Sequence, residues 1–401
     1  MKKTIIVGLL ISTSIAVLAQ QVPVTSDHKP NEHTLACLEA PTRDCAFTAA
    51  LQTVINEEFG IERAKVLIGI ARSMIVTNQK EQAIQTLMLA LDEARSVNLS
   101  LVTREKITVI APLLARAGDT ASALALVGEL QNPSIKDLVL LKIASEAGRN
   151  GHIADVHVAL RQANNQTRAF WRELVILTQA PRAMLSTVDL AEVGGRIREI
   201  ERPERRYRGL IQLAIIADHK GDAGERNALL TEADELFLSV VGIHQRAGAT
   251  ADRAYSMFKA GMDPAFVEAS YELALTHGNR LRGSEVLASF ADKVGVIEAA
   301  SGNIDKALRR LEVFQGLPEK AKYLSKLHAG RDKSLLAAEV RGLLTEIAGM
   351  EGAYDRDLVR LTLLEGALVN EDSYLAQHIV QAIEDDDNQA YALALMAPLL
   401  E

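Results

Sequence analysis

The chain has 401 residues, 48% apolar and 4% aromatic, and its 44 Lys and Arg against 52 Asp and Glu leave a formal charge of −8. That apolar share excludes bulk disorder. An acidic chain with few aromatic rings lacks the basic field and stacking platforms of a nucleic-acid binder. Two cysteines exclude a disulfide-dense mini-fold and a four-cysteine zinc module.

Lys2 and Lys3 precede an apolar stretch from Ile5 to Leu18, and Val17-Leu18-Ala19 places small residues at the −3 and −1 positions. This is the pattern of a secretory signal, here resembling a bacterial one, with cleavage expected after Ala19. Removing the two lysines takes the charge to −10. The mature protein is expected in the periplasm. No later stretch reaches 18 apolar residues without a charge, so no membrane span is expected after cleavage. Residues 20–45 read as an N-terminal leader, with Pro23 and Pro30. His28, His33, Cys37 and Cys45 cluster here. His33 and Cys37, four apart, would share a helix face, and imidazole plus thiolate suits zinc or copper. An oxidising compartment and the chain reversal at Pro41 favour a Cys37–Cys45 disulfide instead.

Residues 46–401 carry a 3.6-residue apolar period nearly throughout. Ile61–Thr77 and Glu204–His219 are clear cases. About twenty helices of 12 to 20 residues are predicted, with no strands. Asn78, Gly118, Gly151, Gly221, Gly261, Gly302 and Asn370 each follow an apolar helix, at separations of 40, 33, 70, 40, 41 and 68. These residue types close helices in the left-handed conformation. Two gaps near twice 35 imply degenerate turns, near Ala180-Pro181 and Gly330-Arg331. Gly194-Gly195 reads as a break between helices. A period of 33 to 41 predicts stacked helix hairpins, about ten in all.

Arg116–Leu126 (RAGDTASALAL) and Ala300–Leu311 (ASGNIDKALRRL) resemble the turn and second helix of tetratricopeptide repeats. Ala123 and Ala307 each follow the turn glycine by five, and Asn78 to Ala83 keeps that spacing. The first-helix aromatic and Leu-Gly pattern of the family is missing, and Gly221 to Ala228 is two residues too long. The resemblance implies an all-α, right-handed superhelical α-solenoid whose concave groove binds a protein or peptide.

Motifs for chemistry are sparse. The chain has no G-x-S-x-G, no phosphate-cradling glycine loop and no H-E-x-x-H. Ser256 and Lys259 match S-x-x-K without its companion motifs. His152 and His157 flank Asp155 but diverge on a helix. No cofactor or metal is expected. The acidic run Glu384–Asp387 with Asn388 reads as the start of the last helix, capped by Asp387 or Asn388.

Arg63, Arg104, Lys136, Arg206, Arg246 and Arg356 lie 14 or 15 residues before six of the seven turn anchors. They occupy the first turn of each leading helix, where a cation opposes the helix dipole. In one reading they satisfy the carbonyl end of the preceding helix. In the other they form a basic stripe for a ligand's carboxylates or phosphates, and reversing Arg104, Lys136 and Arg206 to Glu abolishes capture. The segment from Arg196 to Arg208 adds a local +3, which Arg198–Glu201, Arg202–Glu199 and Arg205–Glu201 pairs would absorb. The expected function is a scaffold or adaptor for an envelope protein or peptide. The alternatives are a binder of an anionic glycan or small ligand, and a cell-wall enzyme whose two carboxylates are dispersed in sequence.

Overall fold

The computed structural model describes residues 32–57, 60–281, 284–328 and 333–400. The signal, its cleavage point, His28 and Gly330-Arg331 lie outside them. The regular structure among the described residues is helical, twenty-one α-helices with three short 3₁₀ segments. The chain divides into two compact units. One holds the chain up to Glu146 and from Val340 onward, and the other holds Ala147–Glu339.

The first unit begins with α1 (Glu32–Glu39) and α2 (Arg43–Asn56). Cys37 and Cys45 are disulfide-bonded between them, with Cα atoms 5.6 Å apart. Next come α3 (Gly60–Val76) and α4 (Lys80–Ser96), then α5 (Ser100–Ala117) and α6 (Thr120–Gly128). Each pair is a packed hairpin, and α3 also lies against α5. Asn78 takes φ 60° and Gly118 takes φ 106°, as the turn spacing predicts. Gly118 N–H bonds the Ala115 carbonyl and Asp119 N–H the Leu114 carbonyl. The Asp119 carboxylate then accepts from Ser122 N–H at 3.0 Å and caps α6. One Gly-Asp pair thus ends one helix and starts the next. Ala83 and Ala123, the small residues after these turns, are fully buried.

The unit resumes late in the chain. α7 (Pro133–Arg149) leaves it and α18 (Lys333–Ala348) returns to it, followed by α19 (Ala353–Val369), α20 (Ser373–Ala382) and α21 (Asp386–Met396). α21 packs against both α2 and α3. Ala390, Leu393, Ala394 and Met396 are fully buried there. In a linear array each repeat touches only its neighbours; here the last helix shares a core with the first ones. Gly69 of α3 makes this approach possible, since a Cβ there would stand 2.6 Å from the Tyr391 ring.

The second unit contains α8 (Ile153–Arg161), α9 (Gln166–Leu177), α10 (Leu190–Arg198), α11 (Pro203–Lys220), α12 (Ala223–Phe237), α13 (Ile243–Lys259), α14 (Pro264–Gly278), α15 (Ser284–Ala300), α16 (Ile304–Arg309) and α17 (Leu317–Leu324). α11 pairs with α12, α13 with α14 and α15 with α16, while α9, α11, α13 and α15 lie side by side in that order. Tyr207, Leu210, Ile211 and every residue from Leu213 to Ala217 are buried, because α11 has helices on several sides. A fully buried Leu or Ile side chain contributes about 1.5–3 kcal/mol through removal from water.

Four details differ from expectation. Several second helices are short, α16 having six residues and α6, α8 and α10 nine each. A 3₁₀ segment follows α16 directly, and Pro133 and Pro203 open the helices that come after α6 and α10. Gly194-Gly195 does not break the chain but lies inside α10, where a Cβ at Gly194 would come 3.3 Å from Leu213. Asn370 keeps φ −82°, and Glu371 takes the left-handed φ of 51°. Asn370 is instead buried, its amide bonding the Gly366 carbonyl at 2.9 Å. The last helix is capped by Asp385, which accepts from Asn388 N–H, rather than by Asp387 or Asn388.

Candidate binding face

In the second unit the first helices of successive hairpins carry a row of polar side chains on the face turned away from their partner helices. Arg208 of α11 and Lys293 of α15 both reach Asp252 of α13, at 2.7 Å each. One turn further, Gln212 donates to the Ser256 hydroxyl at 2.9 Å. Lys326, just past α17, closes on Asp292 of α15 at 2.7 Å. The carboxylates of Asp252 and Asp292 thus tie three successive first helices and the segment after α17 together. These side chains are only partly exposed, Arg208 44% and Asp252 23%. The Arg208 guanidinium lies beside Gly248 of α13, where a Cβ would stand in ordinary contact with it at 3.7 Å. Tyr255 is on the same side, one turn after Asp252, and burial, with Asp292 nearby, pushes its hydroxyl pKa up. Its phenol therefore stays neutral and offers a hydrogen-bond donor.

Behind this face the polar groups serve the core. Arg253 bonds the Ser270 hydroxyl at 3.1 Å and pairs with Asp234. Buried Glu298 receives the Tyr271 hydroxyl at 2.8 Å and a two-point contact from Arg310 at 2.6 and 2.7 Å. Burial and then that carboxylate push the Tyr271 hydroxyl pKa far up.

The first-turn cations singled out in the sequence do not pair with one another. Arg63 bonds the Glu57 carbonyl at 3.2 Å and pairs with Glu93 at 2.7 Å. Arg206 approaches the Arg198 carbonyl at 3.5 Å. Arg246 bonds the Val240 carbonyl at 2.7 Å, and Arg356 bonds that of Met350 at 2.6 Å. In all four the acceptor lies at or just past the end of the preceding helix, where carbonyls lack intrahelical partners. Arg104 folds back on its own helix at Ser100, and Lys136 sits half-buried in the first turn of α7.

The remaining candidates are dispersed. His152 faces Asp155 and His157 faces Glu173, two different carboxylates. Among the described residues no group of three or more His, Cys, Asp or Glu is placed to hold a metal ion. Ser256 of the S-x-x-K match accepts a hydrogen bond from Gln212. The arginines between Arg196 and Arg208 pair across the fold rather than along it: Arg198 with Glu232, Arg208 with Asp252, and Arg196 over the Phe170 ring at 4.1 Å. The helix break after Glu199 takes the expected local partners off a common helix.

Of this ladder the sequence singles out Arg208 and Ser256 but not Gln212, Asp252 or Lys293. Those three share a signal nonetheless. Gln212, Asp252 and Lys293 each stand nine residues before a turn glycine. Comparison with protein-family models and with curated proteins finds no match for the chain.

Proposed function

We propose that the protein is an exported scaffold or adaptor that holds a protein or peptide segment across the face formed by α9, α11, α13, α15 and α17. Its hairpins read as a tetratricopeptide-like solenoid. One observation carries this reading: successive first helices present hydrogen-bonding side chains, joined in a row, on a face that their own partner helices leave open. Side chains held by such cross-helix bonds are pre-organised, so less ordering entropy opposes binding.

The test is site-specific photocrosslinking in intact cells. A photoreactive residue replaces Gln212 on this face, and Glu235, exposed on α12, serves as control. A discrete protein adduct at 212 and none at 235 supports the reading. Equal or absent crosslinking at both positions rejects it. The mass of the isolated chain tests export, since the proposal requires an N-terminus at Gln20 and recovery from the periplasm.

A further inference from the structure

The charge on this face is opposite in sign to that of the whole chain. Arg168 and Arg172 lie on α9, on the side away from Glu173, which faces His157 of α8 and Arg196 of α10. Arg205 is one turn before Arg208 on α11, Lys259 one turn past Ser256 on α13, and Lys322 one turn before Lys326. All five are exposed or half-exposed, and none is in an ion pair. On the same helix stripes the carboxylates of Asp252 and Asp292 are already engaged by ladder cations. On these stripes Glu204 and Glu319 are the carboxylates without an ion pair among the described side chains. Five unpaired cations against two unpaired carboxylates, in a chain of net charge −8, make a local positive field.

We infer that the segment held here is an acidic peptide. This rests on the binding role proposed above. Unpaired cations stand on α9, α11, α13 and α17, with Arg205 in the first turn of α11 and Lys259 in the last of α13, while on α15 Lys293 is held by Asp252. Between the unpaired cations Val175, 38% exposed, and the Tyr255 ring offer apolar contacts for the residues between the acids. That mixture suits a peptide better than a uniformly charged glycan.

The probe is a fluorescein-labelled peptide of repeated Asp-Ser-Leu, read by anisotropy on the full oxidised chain. Its Asn-Ser-Leu counterpart and a labelled oligogalacturonate are run alongside. The Asp peptide is expected to bind and to weaken at least about tenfold as salt rises through the range where the Debye length shrinks below about 10 Å. The combined variant Arg172→Glu, Arg205→Glu, Lys259→Glu is expected to lose at least about tenfold, which is ~1.4 kcal/mol. Single Arg205→Glu guards against a folding artefact, and both variants are checked by circular dichroism. Equal binding of the Asp and Asn peptides, binding of the oligogalacturonate alone, or full binding by a folded triple variant overturns the inference. A neutral or basic partner crosslinked at position 212 would also overturn it while leaving the scaffold role standing.

Discussion

Arg72 of α3 donates to the Tyr391 hydroxyl of α21 at 2.6 Å, across 319 positions of sequence. The same tyrosine ring lies over Gly69, where a Cβ would stand 2.6 Å away. In an exposed helix interior, Gly→Ala gains about 1 kcal/mol from helix propensity. Here overpacking outweighs it, and Gly69→Ala is expected to destabilise by about 1–3 kcal/mol in urea unfolding. Adding Tyr391→Leu to Gly69→Ala recovers part of that loss. A stabilised Gly69→Ala single variant would show that α21 does not seat on α3.

The disulfide should act on α1 rather than on the chain as a whole. Leu38, at the end of α1, has its carbonyl bonded by the Gln377 and Gln381 amides of α20, at 2.9 and 3.2 Å. Opening an eight-residue loop removes about 2–3 kcal/mol in the chain-entropy account. Reduction, or Cys45→Ser, is expected to raise amide exchange in α1 and in the facing turn of α20. Exchange in α11 to α15 should not change. Uniform acceleration across the chain would contradict a local role.

Much of the architecture is legible in the sequence, and the limits have physical causes. Gly118, Gly151, Gly221, Gly261 and Gly302 all take positive φ, since the apolar runs before them need a left-handed stop. Asn370 fails because its neighbour Glu371 bears the left-handed residue while its own amide turns inward. The seating of α21 on α3 left no mark beyond an apolar face, because apolar burial is not directional. The ion pairs differ from the local spacing for a similar reason. Arg198 has Glu201 nearby in sequence, yet it pairs with Glu232, 34 residues on, once the hairpins stack.

Acid should act in opposite senses on two neighbouring carboxylates. Burial, then the charges of Glu57, Glu62 and Asp385, push the Asp387 pKa up to about 7, with Lys65 opposing. Its folded value exceeds the unfolded one of about 4. The resulting stability is therefore full below about pH 4 and is lost as pH rises through 7. Glu384 is held down to about 2, first by hydrogen bonds from Arg356 and then from Arg360. Its contribution is present above the ordinary carboxylate pKa and is lost as pH falls toward 2. The first unit is thus expected to be most stable near pH 4–5. Asp387→Asn should abolish the decline between pH 4 and 7 in thermal melts. A decline unchanged in that variant would assign it to another group.

Asp357 is fully buried and accepts four contacts within one structure. The Arg360 guanidinium reaches it at 2.9 Å, the Glu384 and Asp385 backbone N–H groups at 3.1 and 2.9 Å, and the Asn388 amide at 3.4 Å. It therefore fixes the turn that launches α21 toward α3. Asp357→Ala would leave Arg360, itself 4% exposed, with Glu384 as its remaining carboxylate, and strand two partly buried backbone donors. The expected cost is about 3–5 kcal/mol, the range for removing one partner of a buried ion pair. Asp357→Asn keeps an acceptor and should cost less. Because the loss arises where α20 meets α21, Asp357→Ala should expose α21 and the apolar side of α3 to exchange before α11 to α15. Equal stability of the Ala variant and the parent chain would mean that the turn holds without this carboxylate.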